Sequence, residues 1–172
     1  MRLFHVSEES SIKIFYPRLP LRKDLDPNTG LIWALHERCL PNFLTPRDCP
    51  RIAYHSESTT TPEDRDKFLS SQSCKHVVVV EHSWYDIIKQ TTLYLYEFDA
   101  TSFELQDETA GYYVSKSSQI PINKIVVTDI MKELRERNVE LRFVDSLWDM
   151  ASAIQKSSMK WSLCRMANAK LK

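Results

Sequence analysis

The sequence predicts an α+β fold in a single domain spanning residues 1–172, with mixed or antiparallel sheets and a few helices. Three observations predict it. Short apolar runs of strand length recur along the chain. Four consecutive valines mark one strand buried on both faces. Only a few segments combine a helix-start signal with an apolar stripe. A chain of 172 residues is long enough to bury one real core.

Leu3–Val6 reads as the first strand and Leu31–Leu35 ("LIWAL") as the second. Between them, the segment Tyr16–Gly30 ("YPRLPLRKDLDPNTG") holds three prolines and five charged residues. It is too long for a simple connection, which makes it a functional or a mobile segment. "HERCLPNFLTP" reads as a short helix with Pro41 in its first turns, closed before Pro46. Arg51–His55 ("RIAYH") alternates like a strand. "TPEDRDKFLSS" then opens a helix, with Thr61 as N-cap, Pro62 at the first helical position and acids in the first turn. His76–Glu81 ("HVVVVE") is the valine strand. Thr92–Phe98 sets Leu93, Leu95 and Glu97 on one face and Tyr94, Tyr96 and Phe98 on the other. Short strands follow at Tyr112–Ser115, Lys124–Val127 and Val139–Val144. "TDIMKELRERN" is a helix with Thr128 as N-cap and Ile130, Met131 and Leu134 as its stripe; "DSLWDMASAIQKS" repeats the pattern.

Composition narrows the function classes. Twenty-three basic and twenty-three acidic side chains cancel, whereas nucleic-acid binders carry a basic excess that neutralises phosphates. Nucleic acid is not favoured as a partner. The two glycines, Gly30 and Gly111, cannot build the glycine-rich loops of dinucleotide or P-loop sites. Cys39, Cys49, Cys74 and Cys164 form no zinc-ligand spacing, and a metal shared by Cys74 and His76 would still lack two or three ligands, so no metal site is assigned. The amino-terminal residues do not read as a signal peptide, and no apolar stretch reaches the roughly 20 residues that span a bilayer. A reducing, cytoplasmic location and no membrane partner are expected.

Candidate chemistry starts with His5. It shares a strand face with Leu3 and Ser7, while Phe4 and Val6 point the other way. It reads equally as a hydrogen-bonded core histidine and as a group presented to a pocket with the Ser7 hydroxyl. In "PRDCPRIAYH", Arg47 and Arg51 flank a proline-bounded turn, either tying it to Asp48 or offering guanidinium forks to a phosphate or carboxylate. Arg18 is a third candidate for that anion. Among the dense aromatics, Trp33, Tyr54 and Tyr112 are candidates for a wall that stacks on a flat ligand. Glu81, Glu97, Glu104 and Glu108 are the acids to weigh, yet no pair has glycosidase spacing, and GxSxG and HExxH do not occur.

The stretches "LFHVSEE", "GLIWAL", "CLPNFLTPRDCPRI", "LYLYEFDATSFE", "AGYYVSKSSQIP" and "NVELRFVDSLWDMASAI" resemble an uncharacterised bacterial family of unknown function over most of the chain. That resemblance implies no reaction. A second likeness rests on the opening strand histidine, the aromatic of the second strand and the late "GYYVSKSSQIP" strand, which is similar to the ADP-ribosyltransferase-like fold. This resemblance implies split sheets around a cleft that binds NAD or a related nucleotide. His5 would contact a ribose, with Ser7 beside it, and Trp33 or Tyr54 would stack on nicotinamide. Many relatives place the late catalytic glutamate directly after the glycine; here Tyr112 follows Gly111, and Glu108 is the nearest acid, out of register. Two functions stay open: an enzyme or former enzyme with a nucleotide cleft near His5, and a catalytically silent binding or structural module.

Overall fold

The computed structural model describes residues 1–20, 25–108 and 110–171. Its elements run β1 (Leu3–Ser7), β2 (Ile32–His36), a 3-10 helix Glu37–Phe43, β3 (Arg51–His55), α1 (Pro62–Phe68) and β4 (His76–Glu81). A 3-10 turn His82–Trp84 leads into α2 (Tyr85–Gln90) and β5 (Leu93–Phe98); Ala100–Ser102 is a further 3-10 turn. Then come β6 (Glu104–Asp107), β7 (Tyr112–Ser115), β8 (Asn123–Val127) and α3 (Ile130–Glu136). The chain closes with β9 (Val139–Val144), α4 (Trp148–Ile154), β10 (Lys160–Cys164) and a 3-10 turn Met166–Asn168. The α+β class is the one the sequence predicts.

The described residues gather into two compact units, Met1–Leu40 with Leu93–Val127, and Pro41–Thr92 with Thr128–Lys172. Unit one holds a six-stranded sheet in the order β6-β7-β2-β1-β5-β8, antiparallel throughout. One face buries Leu3, Ile32, Ala34, Tyr96 and Phe98 together with Phe15 and Phe103 from outside the strands. The β6–β7 turn needs Gly111, whose φ is +66 and whose missing Cβ would lie 2.7 Å from the Cys39 sulfur.

Unit two holds the order β10-β3-β4-β9, mixed because β4 and β9 run parallel. The valine strand β4 is interior, and Val77–Val80 have no exposed surface. Alternation divides them: Val77 and Val79 meet Ile52, Tyr54, Phe68, Leu147, Ala151 and Ile154. α3 packs against β9. A parallel pair needs a long crossover, and here that connection contains β5 to β8 as well as α3.

Several boundaries differ from expectation for local reasons. Thr61 caps α1 as expected, its hydroxyl accepting the Asp64 amide at 3.3 Å. α3 is capped by Asp129 rather than Thr128: the Asp129 carboxylate accepts the Lys132 amide at 2.9 Å, one residue further along. Asn138, at φ 56, follows the end of α3 in the left-handed conformation that asparagine tolerates. β6, polar and largely exposed, and β10, half-buried, exist as edge strands because a neighbour pairs with them. α2 is a six-residue helix with no side-chain cap, so it lacks a start signal. Of the Tyr16–Gly30 segment, residues 21–24 lie outside the described residues; Arg18 and Leu31 exchange backbone hydrogen bonds at 3.1 and 2.8 Å. No helix among the described residues is long and apolar enough to cross a membrane.

Candidate functional site

His5 lies on β1, one of the inner strands of unit one's sheet, opposite Tyr96 of β5. Strand pairing with β2 covers Leu3 and Phe4. One residue further on, the His5 Nδ1 sits 3.0 Å from the Trp33 carbonyl oxygen. A carbonyl only accepts, so Nδ1 carries the proton and the tautomer is set. The imidazole thereby takes a role that a backbone amide has elsewhere in the ladder.

The face His5 shares with Leu3 is filled by the chain itself. Phe15 packs on the imidazole with centroids 5.0 Å apart, and meets Tyr96 and Phe98 edge-on at 5.2 and 5.0 Å. The covering segment is fixed at both ends. The Tyr96 hydroxyl donates to the Glu9 carbonyl at 2.7 Å and accepts the Ile12 amide at 3.2 Å, while Phe15 bridges to Gln119. Ser7 turns inward on its own loop, its Oγ accepting the Glu9 amide at 3.0 Å.

Trp33 offers His5 its backbone and not its ring. It lies between Ile32 and Ala34, which face the Leu3 core, so its indole projects from the other face and meets Tyr112 edge-on at 5.3 Å. Arg18 is exposed beside the Leu31 bridge. Glu108 is exposed in the β6–β7 turn, where its carbonyl receives the Arg38 guanidinium and the Gly111 amide. That turn precedes Tyr112, which pairs with Leu35 of β2, so a strand stands between it and β1. Unit one therefore groups His5 with Phe15 and Tyr96, and leaves the Glu108 carboxylate elsewhere.

Arg47, Arg51 and Tyr54 belong to unit two. Arg47 is exposed on the Pro46–Cys49 turn. Arg51 is buried, and the expected partnership with an acid is replaced by one with carbonyls: Nε donates to Asn42 at 2.5 Å and Nη1 to Cys49 at 3.0 Å, with Phe43 stacked 5.1 Å away. The reason is local, because the proline-bounded segment leaves carbonyls without strand partners, and a guanidinium supplies several donors at once. Tyr54 is fully buried; its hydroxyl donates to the Phe68 carbonyl at 2.9 Å and accepts from Arg142 at 2.8 Å. Arg142 in turn holds Glu140 at 2.6 Å, and burial pushes the Tyr54 phenol up to about 12.

The sequence reading missed a second histidine site in unit two. "RIAYH" ends in His55 and "HVVVVE" begins with His76; antiparallel pairing puts them opposite each other, with rings 5.4 Å apart. His76 Nε2 lies 2.7 Å from Asn42 Oδ1, and His55 Nε2 lies 3.5 Å from Glu57. Asn42 links this pair to Arg51 by its own carbonyl. Burial and then the neighbouring His55 lower His76 to about 4, so it is neutral at pH 7. The two strand-end histidines were the available signal. The Cys74 thiol donates to the His76 carbonyl at 3.7 Å. Between α1 and α4 lies a shallow groove of about 370 Å³, lined by Asp64, Lys67, Phe68, Asp149, Ser152 and Lys156. Asp64 there is occupied by the Ser158 amide and hydroxyl, both at 2.6 Å.

The model of a family of unknown function (DUF6886) matches residues 4–169. No curated protein matches, and no solved structure does.

Proposed function

Taking as premise that the chain belongs to the family of unknown function (DUF6886), we propose that it is a binding or structural module without transfer chemistry at His5. The observation that carries this reading is the filling of the His5 face. The imidazole donates to the Trp33 carbonyl and packs under Phe15, both supplied by the chain itself. Transfer of ADP-ribose needs a carboxylate where positive charge develops on the sugar. Among the described residues of β1, β2 and β5, the strand positions facing with His5 are Leu3, Ser7, Ile32, Ala34, His36, Tyr94, Tyr96 and Phe98, and none is an acid. A reducing, cytoplasmic setting belongs to the same proposal, supported by four free cysteines.

A second reading, in which NAD or a related nucleotide binds at this face, is favoured by the part of the imidazole that stays exposed. Calorimetric titration with NAD and ADP-ribose, on the wild type and His5→Ala, separates the two. The module reading expects no ligand heat and a stability loss in His5→Ala of about 1–3 kcal/mol, the cost of leaving a polar partner unpaired. Ligand binding that weakens in His5→Ala at unchanged stability would replace it with the nucleotide reading.

A further inference from the structure

The carboxyl-terminal residues of unit two make a set of contacts that has the form of ligand recognition. Glu81 closes β4 and is almost fully buried, 3% exposed. Parallel pairing sets Glu81 beside Val144, so Asp145 leaves the sheet at the same end, and Trp148 opens α4 three residues later. In open α/β sheets ligands are received at the carboxyl ends of parallel strands, and β4 and β9 are the parallel pair of this mixed sheet.

Lys170 lies at that end and is read on three sides. The Lys170 amide donates to both oxygens of Glu81, at 3.0 and 3.1 Å. The Lys170 carbonyl accepts from the Trp148 indole at 2.7 Å. Its ammonium reaches both oxygens of Asp145 at 3.0 Å. Among the described residues, the Lys170 amide is the group that hydrogen-bonds the Glu81 carboxylate. A buried carboxylate is costly without a donor. The position therefore demands a backbone N–H, here from the residue after the extended Ala169, whichever chain supplies it.

We propose that Glu81, Trp148 and Asp145 form a binding site for an extended, lysine-bearing peptide, which the chain's own Lys170 fills in cis. Glu81 and Trp148 read the backbone and supply most of the affinity. Asp145 reads the side chain. Its pair with Lys170 is exposed, 58% on the lysine and 85% on the aspartate, so it tunes the choice of residue and weakens in salt. A peptide in trans competes with a tethered occupant at roughly millimolar effective concentration, so the site opens to partners when the Lys170 segment is displaced. The inference stands apart from the His5 reading and survives its failure.

The test uses the full chain with Lys170→Pro, which removes both the amide hydrogen and the ammonium, and a fluorescent peptide carrying residues 167–171. Anisotropy is expected to show the peptide binding Lys170→Pro at least about tenfold more tightly than the wild type, whose site is filled. N-methylation of the peptide's lysine amide should weaken binding by about tenfold or more, because it leaves Glu81 unpaired. Alanine in place of that lysine should weaken it roughly two- to fivefold, an effect that high salt abolishes. Equal binding to wild type and Lys170→Pro, or indifference to N-methylation, would overturn the proposal. If Lys170→Pro lacks a cooperative melting transition, a chain cut after Asn168, which lacks the Lys170 amide, carbonyl and ammonium together, takes its place. No binding by the peptide to that variant would equally overturn the proposal.

Discussion

His55 and His76 face each other across β3 and β4 with their rings 5.4 Å apart, and His76 sits 2.7 Å from the Asn42 amide oxygen. The pair combines a half-exposed imidazole next to Glu57 with one held neutral by burial. Its consequence is an acid-dependent stability. His76 binds protons less readily in the folded chain than in the unfolded one, because its value falls from 6.5 to about 4. Stability is therefore complete above about pH 6.5 and declines as the pH falls toward 4. Between pH 7.5 and 4.5 the loss from this group is about 2–3 kcal/mol. Urea denaturation at the two pH values, on wild type and His76→Gln, measures it. The glutamine keeps a donor for Asn42 and should remove most of that decline; an unchanged decline in the variant would refute the assignment.

Arg51 holds two carbonyls of the proline-bounded segment from a buried position. Arg51→Met keeps the apolar stem and deletes the donors. The expected loss is about 3 kcal/mol, read as a lower denaturation midpoint. Arg51→Lys should recover less than half of it, because an ammonium lacks the planar fork. Full recovery by lysine would show that charge alone matters there.

Gly111 combines a positive φ with a close approach to Cys39. Gly111→Ala is expected to cost about 1–3 kcal/mol. Adding Cys39→Gly relieves the contact and leaves the backbone strain, so a double-mutant cycle should show partial coupling between the two. Strict additivity would mean that the sulfur gives way freely.

Tyr54 and Arg142 test whether the core network is held by its hydroxyl. Tyr54→Phe leaves the Phe68 carbonyl and one Arg142 donor without their partner. Thermal unfolding should show a loss of about 1–3 kcal/mol. A loss below about 0.5 kcal/mol, the size of an ordinary surface substitution, would rule the network out as a support.

The sheet strands were legible where one residue type or strict alternation left a single reading. Four valines in a row predict an interior strand, and Val77–Val80 are one. "LYLYEF" predicts its two faces, and Tyr96 and Phe98 join the Leu3 core. Edge strands such as Glu104–Asp107 were illegible because their own residues do not favour them; a neighbour's free backbone does. The environment of His5 was half legible. Alternation placed it on the Leu3 face, but the residue that fills the space above it, Phe15, arrives from a segment without regular structure. Arg51 was identified as a residue with a defined partner, and the partner's chemistry was not, since carbonyl positions follow from turns that side-chain patterns do not encode. His55 and His76 went unnoticed as a pair because each is ordinary in its own strand; they meet through β3–β4 register.

The parallel pairing of β4 with β9 also sets an order of events during synthesis. The valine strand has its antiparallel neighbour β3 early, but its other edge waits until β5 to β8 and α3 have been made. Contacts so distant along the chain close slowly. Until Val139–Val144 leaves the ribosome, a run of four valines keeps one edge unpaired, which is the composition most prone to associate with other chains. A nascent chain stopped before β9 is therefore the species in which aggregation and chaperone capture should concentrate, and a chain released beyond Val144 the first that can complete the sheet around its valines.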